Sequence, residues 1–215
     1  TVMDRIAGHA KALLGAENSA IFLPHTDTNT DGKRYRALVA LGDLAETLKA
    51  TLVEPGRGII GSLIDSGRGE FINDSAADPR AVPIPGTPLQ NDERLMVVPL
   101  KSGDEVQGAM AVWRNGGKPF DGHELAFLEG LSQQAVIALN NARLFDQTQA
   151  ALQRQTASAD ILRVISQSPN DVMPVVEVIV TTARQLLGCY RTSLLRRDGD
   201  VLISLRHATA GGVAP

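Results

Sequence analysis

The sequence repeats its own beginning near its end, and this internal repeat limits the folds that the chain can adopt. Segments 2–24 and 175–197 align without a gap, so that Leu13-Leu14-Gly15 matches Leu186-Leu187-Gly188 at one constant offset. In each copy an amphipathic segment precedes two short apolar runs around an Asp-Gly turn. A repeat of this kind indicates two modules of one architecture. Because the second copy matches only the start of the first, we expect the chain to be part of a longer protein.

Composition places the chain among globular proteins and argues against several classes of partner. Of its 215 residues 43% are hydrophobic and 21% charged, which is ample for a buried core. The net charge of −3 argues against a general nucleic-acid or anionic-membrane surface. A single cysteine fits a reducing compartment, and we find neither a signal peptide nor an apolar run of about 18 residues. We therefore expect a cytoplasmic location, with no membrane contact by this stretch.

Hydrophobic periodicity predicts helices and strands in both parts of the chain. A helix at 2–14 ends at Gly15, and strands at 19–23 and 35–41 flank the Asp31-Gly32 turn of a hairpin. Gly108 inside a strand predicts a close backbone approach. The remaining predicted elements are short helices at 43–50 and 58–66, strands at 70–73, 94–100 and 106–113, a proline-rich loop at 74–93 (Pro79, Pro83, Pro85, Pro88), a helix at 172–187, and strands at 192–197 and 201–208.

One long helix is predicted between the two copies of the repeat. Asp121 can cap its start, with Glu124 three residues later as in a capping box, and nothing interrupts the helical pattern before Pro169. Such a helix would be about 70 Å long, more than one sheet needs for its cover. Apolar residues recur along it at alternating spacings of three and four, which predicts a homodimer seam. The seam residues are Leu131, Ala135, Ala138, Ala142, Phe145 and Leu152.

Several motifs in the first 150 residues resemble those of one known family. They are Glu54–Gly61 with Gly67, Phe71–Asp74 with Asp78-Pro79-Arg80, Val97–Leu100, Gly108–Val112, and Pro119–Phe145. Together they resemble the GAF domain, a sensory relative of the PAS fold. The resemblance implies an α+β fold with a central antiparallel sheet, helices on one face and lid helices or loops on the other. It also implies a first GAF domain at 1–145, a coiled-coil linker at 146–168 and an incomplete second GAF domain at 169–215.

The resemblance further implies a ligand pocket between the sheet and the lid. Phe71, Asp74, Arg80, Val97 and Trp113 are positioned to contribute to it. Arg80 is the polar residue of first interest, because arginine binds carboxylate and phosphate through two parallel hydrogen bonds. A structural interpretation stays open for each residue. The apolar side chains would be core, Asp74 would cap a turn, and Arg80 would pair with Asp74 or Asp78.

A sensory function follows from this resemblance. Arrays of this kind are most often found in bacterial sensor histidine kinases, and nucleotide cyclases carry similar ones. We expect a module that binds a small molecule and relays the signal through a dimeric helix. The alternative is a structural dimerisation module with no small-molecule ligand.

Some members of the family bind cyclic nucleotides, and one part of the sequence resembles their signature. Asn115, Lys118, Phe120, Asp121 and Glu124 carry the resemblance. Two glycines separate Asn115 from Lys118, which departs from the signature. Helix capping also explains the segment from Phe120 to Glu124.

No cofactor, metal site or catalytic residue is predicted. Residues 1–188 contain no cysteine that could attach a bilin, and Cys189 precedes a strand of the second copy. His9, His25 and His123 fall outside the expected pocket, where a haem ligand would lie. The near-fingerprint Gly56–Gly61 lacks the strand–turn–helix context of a dinucleotide site. We therefore expect no enzymatic activity.

The second copy raises a question of stability. An isolated hairpin such as 192–208 is marginal in water. We expect residues 190–210 to be ordered by a partner chain, a neighbouring molecule or the first domain.

Overall fold

The chain forms two compact units, Thr1–Ala142 and Arg143–Pro215. The structure, a computed structural model, describes residues 1–25, 33–82, 92–167 and 172–214. The elements, in chain order, are α1 (Val2–Leu13), β1 (Asn18–His25), β2 (Arg34–Leu41), α2 (Ala45–Ala50), β3 (Leu52–Val53), α3 (Gly58–Ser66), β4 (Glu70–Ile72), β5 (Glu93–Ser102), β6 (Glu105–Asn115), α4 (Gly122–Gln167), α5 (Met173–Leu187), β7 (Thr192–Asp198), β8 (Val201–Thr209) and β9 (Gly212–Ala214).

A six-stranded antiparallel sheet organises the first unit. Its strand order is β3-β2-β1-β6-β5-β4, so the apolar strands β5 and β6 lie inside the sheet. Successive residues of a strand point to opposite faces, and both faces are buried here. This arrangement confirms the predicted α+β fold with a central antiparallel sheet.

Different helices cover the two faces of the sheet. On one side, α1 and the first part of α4 pack against strand residues such as Met96 and Met110, and we call this the α1/α4 face. On the other side, α2 and α3 pack against Phe22, Val97 and Trp113, and we call this the α2/α3 face. The buried apolar residues Leu95–Val98 of β5 and Ala109–Trp113 of β6 therefore alternate between the two clusters.

The bounds predicted from periodicity agree with most of the elements to within a few residues. Gly15 (φ 56°) follows α1 and Gly67 (φ 63°) caps α3, both in the left-handed region that favours glycine. The short strands β3 and β9 were not predicted. The predictions for the Asp31-Gly32 turn and for Pro169 lie outside the described residues, as do those for Pro83, Pro85 and Pro88. No described helix combines the length and hydropathy needed to cross a membrane.

The structure divides the residues of the predicted dimer seam. Leu131 (8% exposed) and Ala135 (fully buried) belong to the core of the α1/α4 face, and Ala138 packs against it. These three side chains serve the unit's own core. A core stripe and a dimer seam require the same helical spacing, so the sequence pattern alone does not distinguish the two. The seam residues that are exposed are Ala142, Phe145 and Leu152. The dimer itself stays a prediction.

The second unit repeats the local structure of the first. Gly188 ends α5 with φ 61°, as Gly15 follows α1 with φ 56°. The hairpins share a β-bulge, since Leu38 of β2 and Leu205 of β8 are both left unpaired in their ladders. The bulges face Ile21/Phe22 and Leu194/Leu195, which correspond at the offset of the repeat. The repeat therefore extends to an irregularity that strengthens local twist.

The hairpin of the second unit exposes apolar side chains. Leu195 is 51% exposed, Val201 62% and Leu202 63%. Among the described residues, β7 pairs with β8 alone, so one of its edges is open. These features fit the expectation that another surface covers the hairpin, which stays a prediction.

Replacing Gly108 by alanine should destabilise the first unit. A Cβ atom at Gly108 would overlap the carbonyl oxygen of Phe22, so β1 and β6 would have to separate. We expect a loss of about 1–3 kcal/mol in the free energy of unfolding. Urea unfolding followed by fluorescence reports on this unit, because Trp113 is the sole tryptophan.

Gly122→Ala is the matched control, since no heavy atom lies within 4 Å of a Cβ built there. We expect it to change the free energy of unfolding by less than about 0.5 kcal/mol. Equal effects of the two substitutions would contradict the close-approach argument.

Candidate functional site

The five predicted pocket residues do not share one face of the sheet. Val97 (fully buried) and Trp113 (3% exposed) lie in the α2/α3 face, whereas Phe71 packs against the α1/α4 cluster. The cause is strand register, because Phe71 pairs with Met96 while Val97 pairs with Glu70. Directly paired residues lie on the same side of a sheet. Phe71 is therefore separated from a pocket on the α2/α3 face.

An aromatic pair lies on that face. The rings of Trp113 and Phe22 meet edge to face, with centroids 6.5 Å apart and an interplanar angle of 65°. Leu48 of α2 and Leu63 of α3 belong to the same cluster and cover this face of the sheet. Leu95 pairs directly with Trp113 across the strands. The same cluster also includes five small strand residues: Ala20, Ala37, Ala40, Ala109 and Ala111. The same face holds the Tyr35 hydroxyl, and burial raises the pKa of that group.

Arg80 is held by two carboxylates. Its Nη1 and Nη2 each donate to Glu70 at 3.0 Å, and its Nε and Nη2 donate to Asp78 at 2.9 and 2.7 Å. Asp78 and then Glu70 raise the pKa of Arg80, and Arg80 holds the pKa of Asp78 below its usual value. All three nitrogens of the guanidinium group are thus engaged. Arg80 fastens the segment 73–82, which we call the lid segment, to β4.

Asp74 also has a structural role in the lid segment. Its Oδ1 accepts a hydrogen bond from the backbone N–H of Ala77 at 3.1 Å, which is the turn cap left open by the sequence. Pairing of Arg80 with Asp78 was likewise among the sequence interpretations. Glu70 was not foreseen as a partner, since no local spacing connects it to Arg80.

Among the residues that resemble a cyclic-nucleotide signature, Asp121 and Glu124 lie at the start of α4, whereas Asn115 ends β6. Asp121 and Glu124 make the predicted capping box, with the Glu124 N–H donating to Asp121 Oδ1 at 3.0 Å and the Asp121 N–H donating to Glu124 Oε2 at 3.2 Å. Lys118 Nζ lies 2.8 Å from Asp121 Oδ2. Lys118 and the capped N–H groups lower the pKa of Asp121 to about 2. Capping therefore accounts for Asp121 and Glu124, and Lys118 pairs with the capping carboxylate.

Arg114, near the end of β6, is a buried charged residue that the sequence analysis missed. It is 9% exposed, and its Nη1 donates to the Lys118 carbonyl oxygen at 2.6 Å. Its Nη2 donates to Glu124 Oε1 at 2.8 Å and also to the carbonyl oxygen of Leu14. The signal that could have found it is a charged residue directly after the apolar run 106–113.

A shallow cleft of about 420 Å³ opens beside Arg114. It lies between the end of α1 and the β6–α4 connection, with Leu14, Glu17, Arg114, Asn115 and Glu124 among its walls. Arg114 pairs with Glu124, and Asn115 donates to Glu17, so these groups are already engaged. Among the described residues, no group of three or more His, Cys, Asp or Glu is placed to hold a metal ion.

Replacing Arg80 by methionine should loosen the lid segment. We expect it to lower the free energy of unfolding by about 1 kcal/mol or less at neutral pH, because the ion pairs are partly exposed. The pKa of Asp78 should rise, and NMR titration of its carboxyl carbon measures this. Since the pKa is lowered in the folded state, this stabilisation is present above about pH 4 and is lost as the pH falls further.

Arg57→Met removes a single exposed ion pair, between Arg57 and Glu54 at 3.3 Å, and serves as the control. It should leave the Asp78 titration unchanged. If Arg80→Met left the pKa of Asp78 unaltered, the proposed pairing of Arg80 with Asp78 would be contradicted.

Comparisons with known proteins agree with this architecture. Residues 1–140 match the model of the GAF domain family. The dual 3′,5′-cyclic-AMP and -GMP phosphodiesterase 11 of Drosophila melanogaster is 25% identical over an alignment of 207 positions, which covers 91% of this chain and 14% of that protein. The chain thus spans only a small part of this relative.

Solved structures of low sequence identity share the fold. The second GAF domain of DevS from Mycobacterium smegmatis has a TM-score of 0.54 at 19% identity, covering 68% of this chain and 96% of that one. The free methionine-R-sulfoxide reductase of Neisseria meningitidis, in complex with its substrate, has a TM-score of 0.53 at 23% identity, covering 66% and 77%. With the family model matching residues 1–140, the chain belongs to the GAF domain family.

Proposed function

We propose that the chain is a sensory and regulatory module of a bacterial signal-transduction protein, with a cytoplasmic sensor histidine kinase as the expected context. It binds a small molecule on the α2/α3 face and relays its state through a homodimer of α4. Membership of the GAF family supports a regulatory rather than a catalytic role. The observation that carries the proposal is an exposed apolar stripe along α4. The stripe consists of Ile137 (59% exposed), Leu144 (58%), Phe145 (63%) and Leu152 (61%).

The position of the stripe on α4 suits pairing with a second copy. Its members recur about every seven residues and so lie on one side of the helix, away from the buried Leu128 and Ala135. Each large apolar side chain gains roughly 1.5–3 kcal/mol when it is fully buried. No charged residue lies between Glu129 and Arg143, so two copies would meet there without repulsion. Two of the three exposed members of the predicted seam, Phe145 and Leu152, belong to the stripe.

The small-molecule part of the proposal rests on the chemistry of the α2/α3 face. An aromatic pair in an apolar cluster that also contains several alanines suits a flat, largely apolar ligand with few polar groups. Val97 and Trp113 are packed by α3 in the present state, so such a ligand would enter as α3 or the lid segment moves aside. A movement of the lid segment would have to break or bend the hydrogen bonds of Arg80 to Glu70 and Asp78, so these bonds oppose it.

A structural dimerisation module is the second candidate. It is favoured by the saturation of Arg80 with carboxylates and by the burial of Val97 and Trp113. Both candidates use the α4 stripe, and they differ in whether the α2/α3 face takes a ligand.

Ligand binding should be visible in the fluorescence of Trp113. We expect an organic acid, cyclic nucleotide or nucleobase that binds the α2/α3 face to shift both the tryptophan emission and the melting temperature. A ligand at 100 times its dissociation constant adds about 2.7 kcal/mol to the free energy of unfolding. A change in melting temperature without a change in emission would place the ligand elsewhere. No response to any compound, with the dimer intact, would favour the structural candidate.

Leu144→Glu should disrupt the homodimer. The carboxylate would face its copy across the stripe, and we expect the dimer dissociation constant to rise at least about tenfold, which is 1.4 kcal/mol. Sedimentation at tens of micromolar measures it. Gln153→Glu introduces the same charge at an exposed position off the stripe and should leave the dimer intact. A monomeric wild-type protein, or equal effects of both substitutions, would rule out the stripe.

A further inference from the structure

The lid segment is tied to the start of α4 by one amide side chain. Asn73 Nδ2 donates to the Phe120 carbonyl oxygen at 3.1 Å, and the Phe120 N–H donates to Asn73 Oδ1 at 2.8 Å. Phe120 directly precedes Asp121, whose carboxylate caps α4. The amide of Asn73 therefore holds both backbone groups of the residue that precedes the cap of α4.

The ring of Phe120 carries the contact onward to Arg114. The guanidinium carbon lies 4.1 Å from the ring centroid, and Phe120 is only 2% exposed. Arg114 is also ion-paired with Glu124 at 2.8 Å, where the two side chains are 11% and 20% exposed. Because Glu124 belongs to the capping box, these contacts run without a break from the lid segment to the first turn of α4.

We propose that Asn73, Phe120, Arg114 and Glu124, which we call the Asn73 joint, couple the position of the lid segment to the capping of α4. Asn73 and Arg114 are positioning residues in this scheme. The inference rests on the proposed function and deepens it, since α4 carries the stripe and the lid segment lies against the start of α3, where Val82 is 3.7 Å from a Cβ built at Gly58. A movement of the lid segment that withdraws Asn73 releases Phe120 and weakens the capping box. The coupling is reciprocal, so loosening the first turn of α4 also frees the lid segment.

The chemistry of an amide explains why asparagine suits this position. A carboxamide offers a donor and an acceptor on one planar group, which is what the N–H and C=O of one residue require. Aspartate keeps the acceptor for the Phe120 N–H but loses the donor. Alanine loses both.

Amide hydrogen exchange of the full chain tests the coupling without any ligand. The cycle compares the wild type, Arg80→Met, Asn73→Ala and the double variant. Arg80→Met frees the lid segment without touching the joint. In the wild-type background we expect it to speed exchange at His123 and Glu124, whose N–H groups Asp121 caps, by at least about fivefold. In the Asn73→Ala background, Arg80→Met should still speed amide exchange in the lid segment. Exchange at His123 and Glu124 should then be no faster in the double variant than in Asn73→Ala alone.

Two outcomes overturn the proposal. One is an Arg80→Met effect on His123 and Glu124 that is the same in both backgrounds, and the other is no effect on them while the lid segment responds. If Asn73→Ala does not fold, as judged by Trp113 emission and circular dichroism, Asn73→Asp takes its place in the cycle and should reduce the coupling.

Ser75→Ala is the matched control within the lid segment. It removes the 2.9 Å bond from Ser75 Oγ to Glu93, which ties the segment to β5 and not to α4. The effect of Arg80→Met on exchange at His123 and Glu124 should be the same in the Ser75→Ala background. Its loss there would show that the coupling does not depend specifically on Asn73. Coupling in the absence of a ligand response would retain the joint while rejecting the sensory part of the proposed function.

Discussion

The pairing of β1 with β6 is the contact on which the first unit depends. It joins the β3-β2-β1 half of the sheet to the β6-β5-β4 half, and both apolar clusters draw residues from the two halves. Asn18–Phe22 pair with Ala109–Trp113, which are distant in the sequence. The Glu17 N–H adds a bond to the Trp113 carbonyl oxygen at 2.8 Å where the pairing ends. Since a long loop must close before this ladder forms, we expect it to limit the folding rate.

Arg114 follows this ladder directly and extends its effect to the helices. Its bonds reach the end of α1 through the Leu14 carbonyl oxygen and the start of α4 through Glu124. A charge that is 9% exposed is costly to bury unless it is paired, and here it is both paired and hydrogen-bonded. The ordering of two helix termini thus depends on a residue placed by the sheet.

The elements could be predicted from the sequence, whereas the faces of the sheet could not. The sequence pattern predicted α3 at its observed bounds. The capping-box residues Asp121 and Glu124 correctly predicted where α4 begins. Phe71 was assigned to the pocket from the family resemblance, and the face on which it lies depends on the pairing of β4 with β5, which no local pattern encodes. Leu131 and Ala135 recur at a spacing that a core stripe and a dimer seam share, so periodicity alone does not separate the two. The engagement of Arg80 by Glu70 required the tertiary structure.

The shared bulge of the two hairpins has a consequence for folding. With a bulged leucine in each second strand and matching residues opposite, β1 could pair with β8, and β7 with β2, in nearly the native register. Such exchanged pairing is a characteristic failure of repeated modules. Local closure opposes it: His25 meets Arg34 and Asp198 meets Val201 across short connections, while an exchanged pair must enclose the whole of α4. Chain entropy thus favours the pairing within each module over the exchanged pairing.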